Sequence, residues 1–287
     1  MAPQDFANDV ALVATPTELL LVVELPAGAG WGTAPPPYED LTSVWASTDG
    51  THWTRQAIPV AMTQSALGPL VAGHRVVLAV ADDRARSQVG VWVRRAGRWR
   101  FRPMAGTQGA GVFAWSTSAT PTGFVAGGQV PVGVIAGPQE PAVWSSADGV
   151  RWQRTVLSTA TGQVTAVASV DGHTYAGGEE FGSAAGGHAA YWTVARGEWK
   201  AMVVTGPLPP PDVDAIVPGP AGPAAVSSNG TVALLADGAW RSVPTRRTTL
   251  SGGRLSPGPS AAFGRRVVAI MNGTASATPW QLTFEAG

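Results

Sequence analysis

The chain has 287 residues with 19 basic and 19 acidic side chains, and charged residues make up only 13% of it. Because it has neither a basic field nor an acidic tail, the composition argues against a nucleic-acid partner. The absence of cysteine excludes disulfides and thiolate chemistry, and the absence of an apolar run of about 20 residues argues against membrane insertion. The apolar residues fall in short alternating or β-branched runs, a pattern typical of strands.

A ten-residue frame repeats along the chain and predicts a hairpin each time. Residues 44–53 and 143–152 both read Val-Trp-x-Ser-x-Asp-Gly-x-x-Trp, and looser copies occupy residues 91–99, 191–199 and 234–240. Glycine accepts a positive φ and the aspartate side chain can bond backbone N–H groups, so each frame predicts a strand, a tight turn and a second strand. The turn glycines recur about every 41 to 52 residues, the length of a four-stranded propeller blade: Gly50, Gly97, Gly149, Gly197, Gly238 and Gly287.

Six such units predict an all-β fold, a single domain over residues 1–287 that is a six-bladed β-propeller of four-stranded antiparallel blades. The tryptophans of the frames are expected to pack between neighbouring sheets rather than to form a ladder that stacks on a ligand. The expected strands are residues 9–15, 18–25, 42–48 and 52–58 in blade one, 68–72, 75–81, 89–95 and 98–102 in blade two, 111–116, 122–127, 142–147 and 151–157 in blade three, 163–170, 173–177, 189–195 and 198–204 in blade four, 213–218, 224–228, 231–236 and 239–243 in blade five, and 261–263, 266–271 and 279–286 in blade six.

The sixth blade lacks an outer strand in this assignment. A ring that stays open leaves a bare sheet edge, so we expect the N-terminal strand to close it. Residues 2–7 would supply that strand, with Phe6 in or near the position of the repeated tryptophan.

The frame Trp-x-Ser-x-Asp-Gly-x-x-Trp, at residues 45–53 and 144–152, resembles the Asp box, or BNR repeat, of sialidase-like β-propellers. The resemblance covers about ten residues in each of two blades and a degraded form in three more. It implies the propeller fold and makes Asp49 and Asp148 structural turn residues. Sialidases also carry an Arg-Ile-Pro motif, an arginine triad and a Tyr–Glu nucleophile pair. This chain has no Arg-Ile-Pro and no assignable triad, so the resemblance does not extend to sialidase activity.

The long connections on the face opposite the Asp-Gly turns form the predicted binding site. Long loops in compact domains are usually functional or disordered, and propellers usually bind ligands around the central funnel on that face, which is an analogy between folds. Aromatic side chains there offer stacking surfaces, and charged ones offer hydrogen bonds. The residues expected to contact a small-molecule, glycan or peptide ligand are Trp31, Tyr38, Arg84, Phe181 and Arg246.

An enzyme is the alternative hypothesis. Two of the acidic loop residues would act as general acid and as nucleophile or base, with His188 as a proton shuttle. The candidate carboxylates are Glu179, Glu180, Asp82 and Asp83. The same residues are also ordinary solvated loop charges, and a scaffold for partner proteins is a third alternative.

No cofactor or metal site is predicted. The four histidines lack metal-ligand spacing, neither glycine-rich stretch (28–32 or 106–111) opens a helix that could cradle a phosphate, and there is no Gly-x-Ser-x-Gly elbow. The Ala-, Gly-, Pro- and Arg-rich composition is typical of a high-GC bacterial source, and we expect a monomer. The N-terminus shows no signal-peptide pattern; a secreted or cell-envelope protein whose signal peptide has been removed is slightly favoured over a cytoplasmic one.

Overall fold

The computed structural model describes residues 9–24, 42–63, 66–73, 76–83, 88–108, 112–133, 137–182, 186–205, 213–219, 222–227, 231–243, 256–263, 266–272 and 277–283, and nearly all of the secondary structure in these ranges is β-strand. The one helix of these ranges, α1 (Val60–Thr63), is a single turn between the first two sheets. Within the same ranges no helix has the length and hydropathy needed to cross a bilayer.

The strands form six sheets in the described part of the chain. Sheet one contains β1 (Asp9–Ala14), β2 (Leu19–Glu24), β3 (Thr42–Ser47) and β4 (Thr54–Arg55). Sheet two contains β5 (Ala66–Gly73), β6 (Val76–Asp83), β7 (Gln88–Arg95) and β8 (Arg98–Gln108). Sheet three contains β9 (Phe113–Thr120), β10 (Gly123–Pro131), β11 (Gln139–Ser146) and β12 (Gln153–Val156). Sheet four contains β13 (Gly162–Val170), β14 (His173–Gly182), β15 (Gly186–Ala195) and β16 (Glu198–Ala201).

Sheets five and six depart from the four-stranded pattern. Sheet five contains β17 (Val203–Thr205), β18 (Ala215–Gly219), β19 (Gly222–Val226), β20 (Val232–Ala236) and β21 (Ala239–Val243). Sheet six contains β22 (Ser256–Phe263), β23 (Arg266–Asn272) and β24 (Ala277–Thr283). Chain neighbours within each sheet pair antiparallel, but β17 pairs parallel with the outer strand β21. The sequence predicted residues 198–204 as one strand of blade four, which is wrong, because the chain leaves sheet four after Ala201 and joins sheet five.

The sheets pack face to face in chain order. One edge strand of each sheet contacts the corresponding edge strand of the next, from β1 through β5, β9, β13 and β18 to β22. Apolar clusters fill the layers between the sheets. The prediction that frame tryptophans pack between sheets is confirmed for six buried ones, where large rings bury much apolar area: Trp92, Trp99, Trp144, Trp152, Trp192 and Trp240. Trp45 and Trp53 of the first frame are only half-buried and lie in none of these clusters.

The first Asp-Gly turn shows why its frame folds as it does. The Asp49 Oδ1 accepts hydrogen bonds from the backbone N–H groups of Thr51 and His52, both at 2.8 Å. The Gly50 N–H donates to Ser47 Oγ at 2.8 Å, and Gly50 adopts a φ of 75° that suits glycine. The pKa of Asp49 is held well below its ordinary value, chiefly by the hydrogen bond from the His52 backbone. The serine, aspartate and glycine of the frame are therefore turn residues.

The second turn repeats these three backbone hydrogen bonds. Asp148 Oδ1 accepts from the N–H groups of Val150 at 2.8 Å and Arg151 at 2.9 Å, and the Gly149 N–H donates to Ser146 Oγ at 2.9 Å. The hydrogen bond from the Arg151 backbone is the largest cause of a lowered Asp148 pKa. The turn geometry predicted from the two frames is confirmed in both copies.

Strand ladders of sheets three and four contain bulges that the repeated sequence frame did not predict. The β9–β10 ladder shifts at Gly127/Gly128, and the β13–β14 ladder shifts between Val164 and Ala166, which leaves Thr165 as the extra residue. The backbones approach closely there: a Cβ on Gly178 would lie 1.9 Å from the Gln163 carbonyl oxygen. The Thr165 hydroxyl donates to the Val213 carbonyl and links sheet four to the segment that opens sheet five. A bulge at this position bends the strand and re-aims its side chains.

The predicted closing strand, residues 2–7 with Phe6, lies outside the described residues. Apart from residues 198–204, each other predicted strand has a counterpart among the described strands, in the same order and with shifted ends. The largest extensions are at the ends of β8 and β14 and at the start of β22, which continue past the predicted limits by five or six residues.

Candidate functional site

The candidate site lies where β14 and β15 approach each other, at the end of sheet four opposite its Arg196-Gly197 turn. We call this end of the sheets the distal end. Glu179, Glu180, Phe181 and His188 were expected in a long loop, but they lie in the two strands. That expectation is wrong because the ladder continues to the Gly182–Gly186 pair, so strand hydrogen bonds fix the backbone that carries these side chains.

Glu179 is anchored to the inner strand. Its Cα partner in the ladder is Gln163, whose Nε2 donates to Glu179 Oε1 at 2.5 Å. Gln163 was not predicted as a site residue. In the sequence, only its position as a polar residue beside Gly162 at the start of β13 points to a role. That position indicates a contact with Glu179 only once the pairing of β13 with β14 is known.

Glu180 pairs across the ladder with His188. The imidazole Nε2 lies 3.5 Å from Glu180 Oε2, and the two side chains are 47% and 21% exposed, with the histidine the more accessible. Opposite charges in a cross-strand pair attract when the histidine is protonated. This pair therefore presents both a carboxylate and an imidazole to solvent from one face of the sheet.

Phe181 ends this polar stretch with an exposed aromatic ring. Its side chain is 43% exposed, while its backbone N–H donates to the Thr161 carbonyl at 2.7 Å. Phe113 and Val132 are also exposed, and they lie at the same distal end of the neighbouring sheet three. Apolar side chains at the distal ends of sheets three and four thus flank the polar residues.

The two glutamates face opposite ways. Successive side chains of a strand alternate between the faces of the sheet. Tyr175 packs in the cluster shared with sheet five, and Ala176 packs in the cluster shared with sheet three. Glu179 follows the alternation of Tyr175, and Glu180 follows that of Ala176. The adjacent carboxylates therefore do not form the facing pair that glycoside hydrolysis uses.

The other predicted site residues are not gathered with them. Asp82 and Asp83 end β6 rather than lying in a loop, which corrects that expectation, and sheet three separates them from sheet four in the packing order. The remaining predicted ligand contacts, Trp31, Tyr38, Arg84 and Arg246, lie outside the described residues. In the described ranges no three His, Asp or Glu side chains cluster as a metal site would require.

Comparisons with known proteins identify the fold. No protein-family model matches the chain and no curated protein matches its sequence. Among solved structures, YCF48 from Cyanidioschyzon merolae is 12% identical over 99% of this chain and 84% of its own, with a TM-score of 0.56. YCF48 bound to D1 peptide is 12% identical over 97% and 78%, with a TM-score of 0.54. The Malassezia sympodialis allergen Mala s 1 is 12% identical over 96% and 92%, with a TM-score of 0.56.

The fold that these sheets and these neighbours define is a β-propeller. At 12% identity the likeness shows the fold alone. Fold does not specify chemistry, so the function has to be argued from the side chains of the site.

Proposed function

We propose that this protein is a single-domain, six-bladed propeller of the Asp-box superfamily that recognises a glycan or peptide-like ligand at the distal end. The observation that carries the proposal is the distal end of sheet four, where β14 places Glu179 and Phe181 on one face and Glu180 on the other, with His188 of β15 opposite Glu180. A ligand that lies across this end of the sheet meets side chains from both faces. Strand hydrogen bonds hold these side chains, so a ligand meets groups that are already positioned. Pre-organised groups lose less conformational entropy on binding than loop residues do.

The chemistry of these side chains suits a neutral or weakly polar ligand with an apolar face. Phe181 supplies a ring for stacking against a sugar face or an aliphatic side chain. Glu180 and His188 supply an acceptor and a donor for hydroxyl or amide groups. The complex of YCF48 with D1 peptide is an example of a solved propeller that takes a peptide, which agrees with this class of ligand.

The hydrolase alternative has less support. A pair of carboxyl groups facing each other across about 5 to 10 Å is what glycoside hydrolysis needs. Glu179 and Glu180 lie on opposite faces of one strand, and Glu179 already accepts from Gln163. A hydrolytic mechanism would therefore require a second carboxylate from another sheet. The third alternative, a scaffold for partner proteins, would require no ligand-binding or catalytic side chains at this site.

Thermal-shift screening against oligosaccharides and short peptides tests the proposal. A ligand that binds the native state alone raises the melting temperature by mass action. Phe181→Ala and Glu180→Gln should abolish or reduce the shift produced by a hit and leave the unliganded melting temperature within a few degrees. His173→Ala is the matched control, because His173 is an exposed residue at the other end of the same strand.

Either of two results would overturn the proposal. The first is a library that yields no hit for the wild-type protein. The second is a hit whose shift is the same in Phe181→Ala, Glu180→Gln and His173→Ala, since the ligand would then bind elsewhere on the protein.

A further inference from the structure

The basic residues of this neutral chain are concentrated in one part of it. The 19 basic and 19 acidic side chains cancel overall, but residues 84–139 contain no Asp or Glu. The basic residues of that span are Arg84, Arg86, Arg94, Arg95, Arg98, Arg100 and Arg102. Although the net charge of the chain is zero, residues 84–139 therefore carry a local excess of positive charge. The expectation that the chain has no basic field holds for the chain as a whole but not for this span.

The register of sheet two sorts these arginines by face. Arg98, Arg100 and Arg102 of β8 lie opposite Arg95, Val93 and Val91 of β7. The two valines pack in the cluster that sheet two shares with sheet three. The intervening residues Trp99 and Phe101 pack on the sheet-one side. The three arginines of β8 thus form one row, at every second residue, on the side toward sheet three.

Sheet three continues this positive surface. Arg95 Nη2 donates to the Asp148 carbonyl at 2.6 Å and bridges the two sheets. From the other side, Arg154 Nη1 donates to the Gly106 carbonyl at 3.2 Å, and Arg151 is exposed beside the same turn. We call the groove between β8 and the Asp148–Arg154 segment, with its six arginines, the rim groove: Arg95, Arg98, Arg100, Arg102, Arg151 and Arg154.

The rim groove contains a cavity and little negative charge. The cavity has a volume of about 550 Å³, and its lining includes Gln88, Met104, Gln108, Arg151 and Trp152. The acidic residue beside it, Asp148, uses its Oδ1 for the turn N–H groups. Among the described residues, no carboxylate lies within ion-pair distance of Arg98, Arg100 or Arg102.

The backbone of β8 is the second element of the surface. β8 is the last strand of sheet two, and no described strand pairs with its outer edge. An outer edge with unpaired N–H and C=O groups is a template for an added strand. The same chain shows that an outer strand of this fold accepts one, because β17 pairs parallel with the outer strand β21 of sheet five.

We propose that the rim groove binds an extended acidic peptide segment, which adds as a fifth strand along β8. Side chains on one face of a strand repeat every two residues, about 6.6 Å apart. Carboxylates at alternate positions of the segment would therefore meet Arg98, Arg100 and Arg102 in turn. Main-chain hydrogen bonds supply affinity in this mode, and alternate side chains supply specificity. A nucleic acid shares the charge but has no backbone that continues a β-ladder.

Fluorescence anisotropy at low salt tests this with a labelled peptide of alternating Glu and Val. The triple variant Arg98→Gln/Arg100→Gln/Arg102→Gln should weaken binding about tenfold or more, since exposed charge pairs each contribute modestly. The matched control is Arg196→Gln/Lys200→Gln/Arg241→Gln, which removes the same charge from sheets four and five and should change the affinity less than twofold. The melting temperatures of both variants establish that they fold.

Two further probes separate strand addition from charge attraction. The same peptide with N-methyl groups at alternate residues keeps its charge and loses ladder hydrogen bonds, so it should bind at least tenfold more weakly. A single-stranded oligodeoxynucleotide of equal charge should bind more weakly than the unmodified peptide. The proposal would be overturned if the plain peptide did not bind at low salt, or if both triple variants lost the same affinity for it. It would also be overturned if the N-methyl peptide or the oligonucleotide bound as tightly as the plain peptide.

Discussion

Arg94 of sheet two and Glu18, in the turn before β2 of sheet one, form an ion pair between the two sheets. Arg94 Nη1 lies 2.6 Å from Glu18 Oε1, and the side chains are only 11% and 23% exposed. The pair is charged and largely shielded from water, unlike Arg241 and Asp237, which are 3.4 Å apart and 53% and 84% exposed.

Glu18→Gln should therefore destabilise the protein by about 1 to 2 kcal/mol, since hydrogen bonds to charged groups contribute more than neutral ones. Arg241→Gln should change stability by less than about 0.5 kcal/mol, as expected for an exposed pair. Urea unfolding of both variants measures the difference. Equal effects of the two substitutions would mean that the Arg94–Glu18 pair adds nothing to the contact between the sheets.

The stability of the second Asp-Gly turn should depend on pH. Hydrogen bonds from the backbone of Arg151 and Val150 lower the pKa of Asp148 in the folded state. A lowered folded-state pKa stabilises the protein above the ordinary carboxyl pKa of about 4, and this stability is lost as the pH falls through the folded-state pKa. The melting temperature of wild type should exceed that of Asp148→Asn at pH 6, and the gap should shrink below pH 4. A gap that stays constant down to pH 2.5 would contradict this.

The bulge glycine of sheet four should not tolerate alanine. A Cβ on Gly178 would lie 1.9 Å from the Gln163 carbonyl oxygen, so Gly178→Ala must push the inner strand away. We expect a loss of at least about 2 kcal/mol from this overpacking. Gly172→Ala is the comparison, because a Cβ there would meet no atom within 4 Å. This substitution should destabilise the protein by only about 1 kcal/mol, the cost of holding alanine at the positive φ of 80°. Chemical denaturation that ranks Gly172→Ala as the worse variant would refute the close approach.

The first tryptophans of the two complete frames should differ in their contribution to stability. Trp144 is fully buried and its Nε1 donates to the Ala105 carbonyl in sheet two at 3.0 Å. Trp45 is half-buried, and its Nε1 donates to Ser43 of its own strand at 3.1 Å. Trp144→Phe should cost about 2 kcal/mol and Trp45→Phe less than about 1 kcal/mol, because a buried bond between sheets is lost only in the first. Thermal unfolding of the two variants checks this order.

Local chemistry made the strand order and the turns predictable from the sequence. An Asp-Gly pair between alternating apolar runs specifies its hairpin through neighbours only a few residues away, as the contacts of Asp49 and Asp148 show. The period of the frame then indicated the tryptophans that pack between sheets, such as Trp144, Trp192 and Trp240.

The limits of the distal strands were not predictable in the same way. Glu179 and Glu180 look like loop residues because they are charged and near glycines, but they stay in the ladder since Gln163 and His188 lie opposite them. The bulge at Thr165 and the transfer of β17 to sheet five depend on contacts between segments far apart in the chain. Those contacts leave no pattern in a single sequence.

A thiol placed at either end of β14 tests the proposed recognition surface most directly. The chain has no cysteine, so Phe181→Cys and His173→Cys can each be labelled at one site with an environment-sensitive fluorophore. Titrated with the oligosaccharide and peptide library, the label at position 181 should respond in a saturable manner to at least one compound, and the label at position 173 should not respond to that compound. A response at position 173 alone, equal responses at both positions, or no response from any compound would contradict a binding site at the distal end of sheet four.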